Sequence, residues 1–180
     1  MDKIVELIDL RVKNFELLKS KNAEISLAVE IVKCAIESKN KILFCGNGGS
    51  ASDSNHLACE FISKFKKIRN SIPSISLSAN NSILSAIGND FSFDDVFKRQ
   101  VEGLGAKNDV LIAISTSGKS KNVINALIQA KKQGLKTILL TGSSKTNLDV
   151  DLEINVPNSS TEQIQEMHIA LGHIICELCE

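Results

Sequence analysis

The sequence predicts an α/β fold: a three-layer, doubly wound arrangement around a five-stranded parallel sheet, preceded by N-terminal helices. Three observations predict it. Apolar runs too short for helices recur along the chain, longer stretches carry apolar residues at helical spacing, and from Ile42 onward the two kinds alternate. Continuous apolar strands separated by helices call for a parallel sheet covered on both faces, whose ligands gather at the carboxyl ends of the strands. At 180 residues the chain suits one domain, 1–180, with a sizeable core.

Taken in order, residues 3–37 carry apolar side chains at helical spacing (Ile4, Leu7, Ile8, then Ile25, Val29, Val32, Ile36), interrupted near Lys19–Asn22, which predicts two helices. Val5, Leu10 and Val12 fall off the main stripe, so the segment 1–37 is expected to pack against another subunit as well as its own core. Ile42–Cys45 reads as the first strand, Gly46–Gly49 as a tight turn, and Ser50 or Ser52 as the N-cap of the helix that follows. Ser74–Ser78 is the second strand, with Pro73 at its mouth, and a short helix then ends at Gly88–Asp90. A helix is expected over Phe93–Leu104, a third strand over Asp109–Ser115, and a helix over Lys119–Gln133 closed by Gly134. Thr137–Thr141 and Leu152–Val156 supply strands four and five. Ser160–Cys179 forms the closing helix, capped by Ser160 or Thr161.

Composition narrows the class. Lys+Arg and Asp+Glu both number 21, and Lys64–Arg69 is the densest basic cluster, read as a solvated helix end and not as a nucleic-acid footprint. Apolar runs fall short of a membrane span and residues 1–6 lack the apolar core of a signal peptide, so a cytoplasmic protein with no membrane partner is expected. The five cysteines are an odd number in apolar contexts, which suits free buried thiols. Cys176-x-x-Cys179 lies in a helical pattern without the strand and turn of a redox site.

Two loops and two helices carry the chemistry. The glycine turn opens a helix whose N–H groups and dipole face the carboxyl end of strand one, a setting that suits an anion such as a phosphate ester. Ser115-Thr116-Ser117-Gly118-Lys119-Ser120 after strand three reads either as a second phosphate cradle or as an ordinary hydroxyl-rich cap. Neither loop matches a nucleotide-binding fingerprint. His56 and Glu60 lie four residues apart on one helix face, within reach of a common substrate atom or metal ion, although such a pair can also be a plain surface contact. Gln165 and His173 are eight residues apart on the last helix and look toward one point, whereas His168 looks elsewhere.

Together, Gly46-Asn47-Gly48-Gly49-Ser50 with His56 and Glu60, Gly88-Asn89-Asp90, Ser115-Thr116-Ser117-Gly-x-Ser120 and Gln165-x7-His173 resemble the phosphoheptose isomerase family of the sugar isomerase (SIS) fold, in motif order and spacing almost end to end. The resemblance implies a homotetramer that converts D-sedoheptulose 7-phosphate to D-glycero-D-manno-heptose 7-phosphate for bacterial surface polysaccharide. It implies substrate contacts at Asn47, Gly48, Gly49, Ser50, Glu60, Asn89, Asp90, Ser115, Thr116, Ser117, Ser120 and Gln165, with the hydroxyl loop on the phosphate. Glu60 and His173 would be catalytic: a carboxylate base and a second acid/base suffice to move a proton across an enediol. In similar enzymes His56, Glu60, Gln165 and His173 match a zinc site, so metal and pure acid–base roles compete. A similar non-enzymatic adaptor that binds a replication initiator keeps part of the glycine loop; the presence of both Glu60 and His173 favours the enzyme. The stretch Ser143–Asn147 after strand four matches no substrate contact.

Overall fold

The structure is a computed structural model that describes residues 2–158 and 160–180. Five strands, β1 (Ile42–Gly46), β2 (Ser74–Ser76), β3 (Val110–Ile114), β4 (Lys136–Thr141) and β5 (Leu152–Asn155), form one sheet in the order β2-β1-β3-β4-β5, every neighbouring pair parallel. β1 and β3 align Ile42 with Val110 and Gly46 with Ile114, so the glycine turn and the hydroxyl loop leave the sheet side by side. From β1 the order runs outward in both directions. Such a reversal opens a crevice at the carboxyl edge, where ligands bind in open α/β sheets.

Alternation within each strand fills two cores. Ile42, Phe44, Ile112, Ile114, Ile138, Leu140 and Ile154 face one side, packed by α2 (Asn22–Glu37), α3 (Gly49–Ile62) and α7 (Thr161–Leu178). Leu43, Cys45, Leu111, Ala113 and Leu139 face the other, covered by α5 (Lys98–Leu104), α6 (Lys121–Lys132) and the segment from Leu77 to Phe97. Side chains as fully enclosed as Phe44, Leu57 and Ile138 each contribute about 1.5–3 kcal/mol from burial. Three layers, a parallel sheet and leading helices are therefore present as the pattern predicts.

The first helix, α1 (Lys3–Leu17), joins α2 through a 3₁₀ turn at Leu18–Lys21, where the sequence pattern breaks. Asn14 alone is buried on α1, while Ile4, Leu7, Ile8, Val12 and Phe15 stand 42–65% exposed. Asn14 anchors it: its amide donates to Gln163 Oε1 (2.6 Å), and Asn158 donates to Asn14 Oδ1 (3.0 Å).

Several local expectations are corrected. The helix expected over Phe93–Leu104 is a 3₁₀ turn, Phe93–Asp95, followed by α5. Ser92 Oγ accepts from the Asp94 N–H and tightens the chain there, which lets Val96 and Phe97 plug the second core. β2 stops at Ser76 because Ser78 Oγ bonds both the N–H and the carbonyl of Gly46 and replaces further ladder bonds. The Lys64–Arg69 cluster follows directly on α3 with Lys64, Lys66 and Lys67 exposed, as expected of a solvated helix end, but Arg69 is drawn in against the carbonyls of Glu60 and Phe61. All five cysteines are free, but Cys34 and Cys59 are exposed on the outer faces of α2 and α3. Cys176 and Cys179 are buried, and burial pushes their thiols up to about 12 and about 11, as inert core groups.

Candidate active site

β1 turns into α3 through Gly48, whose φ of 57° and ψ of −121° strain any residue with a Cβ. Gly48 itself is the N-cap, in place of the expected Ser50 or Ser52. Its carbonyl takes the N–H groups of Ala51 (3.1 Å) and Ser52 (3.2 Å), so the turn needs no serine hydroxyl. Ser50 is buried in the first turn and its carbonyl accepts from Ser54 Oγ (2.8 Å). The open end of α3 therefore points its amides at the crevice.

The hydroxyl loop bends at Gly118 (φ 65°), whose N–H donates to the Ser115 carbonyl (3.0 Å). Ser120 occupies the N-cap position of α6, yet its side chain makes no capping bond; it meets Ser115 Oγ at 3.2 Å instead. A capping residue that leaves the helix amides unsatisfied leaves them for a ligand. Asn47, Gly48, Gly49, Ser50, Ser115, Thr116, Ser120 and Gln165, with Ile114 and Thr161, enclose a cavity of about 250 Å³ between the two loops. None of these residues is charged, so an anion here would rest on backbone N–H groups, hydroxyls and helix dipoles.

Asn47 and Asn122 exchange a reciprocal pair of amide hydrogen bonds, each 2.9 Å, and Asn122 Oδ1 also accepts from the Val123 N–H. This half-buried pair ties the glycine turn to α6, and it commits the Asn47 amide to the protein.

Further along α3 and α7 a second group assembles. His56 Nε2 lies 3.3 Å from Glu60 Oε1 and 3.2 Å from His173 Nε2, and the two imidazoles meet edge to face, 4.9 Å between centroids. The helices can approach because α7 presents Gly172, where a Cβ would fall 2.4 Å from Leu57. Desolvation by burial and the neighbouring His56 lower the His173 pKa, against the raising effect of Glu60. Asp53, one turn before His56, is pushed up to about 6 by burial, opposed by the His56 charge.

Other expected residues are placed differently. Gln165 packs against Gly49, about 12 Å along the helix axis from His173 at 1.5 Å per residue. Asn89 and Asp90 sit exposed at the end of α4 (Asn81–Asp90), bonded to each other (2.8 Å) and outside the cavity lining. Ser117 accepts from the Lys119 N–H and lines an adjoining hollow of about 190 Å³ with Thr116, Ser143 and Ser144. His168 is wholly buried with Nε2 on the Thr141 carbonyl (3.1 Å), facing away from the His56 group as expected.

Zinc held by four ligands at about 2.0–2.1 Å sets its donors roughly 3.3 Å apart, which both His56 contacts match. Among the described residues no three His, Cys, Asp or Glu side chains form a closed metal-holding group. The donor set therefore fits two edges of a coordination shell and needs a further ligand to complete it.

Sequence reasoning missed Asn122, Thr161 and Phe65. Phe65 lies inside the basic cluster and its ring sits 5.3 Å from that of His173. Asn122, two residues past Ser120, carries no signal beyond its place in the first turn of α6.

A parallel five-stranded sheet with two loops at the β1/β3 reversal defines a doubly wound α/β domain with a crevice at its carboxyl edge, and the SIS domain model matches residues 11–142: the chain belongs to the SIS domain family, and within it to the phosphoheptose isomerases. It is 53% identical over 148 residues to the phosphoheptose isomerase of Nitratiruptor sp., covering 81% of this chain and 79% of that one. It is 43% identical to that of Akkermansia muciniphila, covering 93% and 89%. Among solved structures it matches a phosphoheptose isomerase from Neisseria gonorrhoeae with a TM-score of 0.91 at 36% identity (99% and 97% covered). One from Francisella tularensis matches with a TM-score of 0.93 at 30% identity (99% and 96% covered).

Proposed function

We propose that this enzyme interconverts D-sedoheptulose 7-phosphate and D-glycero-D-manno-heptose 7-phosphate, supplying heptose for bacterial surface polysaccharide. The observation that carries the reading is the pairing of an uncharged, amide- and hydroxyl-lined cavity with a carboxylate–imidazole group on the same two helices. Relatives named as isomerases favour it over a non-enzymatic adaptor.

The phosphate rests on Ser115, Thr116, Ser120 and the open ends of α3 and α6. Gly48, Gly49, Ser50 and Gln165 border the sugar, and Asn89, Asp90 and Ser117 stand at its margins. Glu60 removes the proton from C1 of the ketose, and His173 exchanges a proton with the enediol oxygens; returning the carbon-bound proton at C2 gives the aldose. The Glu60 side chain is half-buried, 22% exposed. His56 holds His173 in place through their shared contact. Zinc, when bound, would be held by His56, Glu60 and His173, with Gln165 as the fourth ligand only if its side chain leaves Gly49 and turns along α7, and would supply Lewis-acid polarisation of the sugar oxygens.

A homotetramer is part of the proposal. The apolar outer face of α1 and a groove of about 370 Å³ lined by Phe15, Leu18, Ile25, Ala170, Ile174 and Leu178 support it. A cytoplasmic location is also proposed; no helix among the described residues is long and apolar enough to cross a membrane. A coupled assay that supplies sedoheptulose 7-phosphate and detects the aldose tests the reaction; absence of product across ketose phosphates would refute it.

A further inference from the structure

We propose that Phe65 is a positioning residue that fixes the His173 imidazole, and that Glu180 and Arg69 clamp the segment carrying it; the catalytic consequence rests on the isomerase reading above. The segment 63–70 leaves α3 and crosses to the end of α7, the two helices that bear Glu60 and His173. It forms no helix or strand of its own, so its course is set by side chains. Glu180, with a side chain 1% exposed, accepts three successive backbone N–H groups: Phe65 at 2.6 Å, Lys66 at 2.8 Å and Lys67 at 2.8 Å. Lys66 Nζ adds an ion pair to Glu177 (2.6 Å).

The other end is held by Arg69. Its Nη1 donates to the Phe61 carbonyl (2.9 Å), its Nη2 to the Glu60 carbonyl (2.9 Å), and its Nε lies 3.5 Å from Glu180 Oε1. One guanidinium thus closes the last carbonyls of α3 and faces the carboxylate that gathers the loop amides, a favourable place for a cation. Between these anchors the Phe65 ring packs against the core cluster on one side and the His173 ring on the other, at 42° and 5.3 Å. His56 meets His173 from a different direction. An imidazole braced by a ring and a second imidazole loses the rotamer freedom of a surface histidine and keeps the orientation that proton transfer demands, where a misplacement of about 1 Å can cost on the order of 10²-fold.

The test compares Phe65→Ala, Phe65→Leu and Phe65→Tyr. Leucine keeps apolar volume and so guards against loss of folding, and tyrosine keeps the ring. Steady-state kinetics on sedoheptulose 7-phosphate should show kcat falling by about 10- to 100-fold in the alanine and leucine variants with KM within about twofold, and recovery in the tyrosine variant. Full kcat in the alanine or leucine variant, or an equal loss in the tyrosine variant, overturns the proposal. NMR of the histidine side chains supplies a readout independent of turnover. The His173 ring should give one sharp set of resonances in the unaltered protein and in Phe65→Tyr, and averaged or broadened ones in Phe65→Ala and Phe65→Leu; unchanged spectra overturn the proposal. If the unaltered protein converts no ketose phosphate, the isomerase reading fails, and the spectra alone decide whether Phe65 positions His173.

Discussion

The Nε2 atoms of His56 and His173 face each other at 3.2 Å, so one imidazole must donate and the other accept, or both must turn their lone pairs to a shared ion. The Glu60 carboxylate lies 3.3 Å from the same His56 nitrogen, which makes His56 the hub of the group. The first two predictions separate the roles of its members.

Glu60→Gln keeps size and hydrogen-bonding capacity but cannot take a carbon-bound proton. Turnover is expected to fall by about 10²- to 10⁴-fold, with substrate affinity by calorimetry and thermal midpoint little changed. A variant with near-normal rate would remove Glu60 as the base.

For the proposed zinc, His56→Ala is expected to lose bound metal in elemental analysis while phosphate binding at the cavity persists. Chelator-treated protein with full activity would leave Glu60 and His173 as a bare acid–base pair. Metal retained by His56→Ala at the original stoichiometry would end the four-ligand assignment.

Asn122→Ala strips both amide bonds from Asn47 and frees the glycine turn from α6. KM for the sugar phosphate is expected to rise about tenfold, equivalent to roughly 1.4 kcal/mol, with a smaller change in kcat. Kinetics that show no change in KM would mean that the pair only stabilises the fold.

His168 predicts how stability follows pH. Burial lowers its pKa from 6.5 to about 4, against the raising effect of the Thr141 carbonyl. The unfolded chain therefore binds the proton first as pH falls. Stability should be intact above about pH 6.5 and decline toward pH 4, by up to about 3 kcal/mol. Urea midpoints across this window should flatten in His168→Gln; an identical slope would assign the acid loss to other groups.

How much of this was legible in the sequence depends on how local each determinant is. The strands were readable because runs such as Val110–Ile114 are apolar at every position, and the end of α4 at Asp90 because Gly88 and Asn89 break its pattern. The hydroxyl loop and the His56/Glu60 spacing were readable for the same reason. What escaped depends on distant partners. Gly48 replaces a serine cap through a backbone conformation, Arg69 turns inward because Glu180 and the end of α3 receive it, and Phe65 acquires its neighbour only when α7 returns beside α3. Asn89 and Asp90, named by resemblance, lie exposed at the margin, and the structure gives them no contact with the cavity.

The distance along α7 between Gln165 at the cavity and His173 at the proposed proton-transfer group, about 12 Å of helix, would let the site act as a measuring device. A sugar phosphate anchored on the hydroxyl loop would bring to Glu60 and His173 only those carbons that lie far enough from its phosphorus. Chain length would then be read by two rigid helices and not by any contact with a particular hydroxyl, so a shorter ketose phosphate could bind tightly and still leave its reactive end out of range.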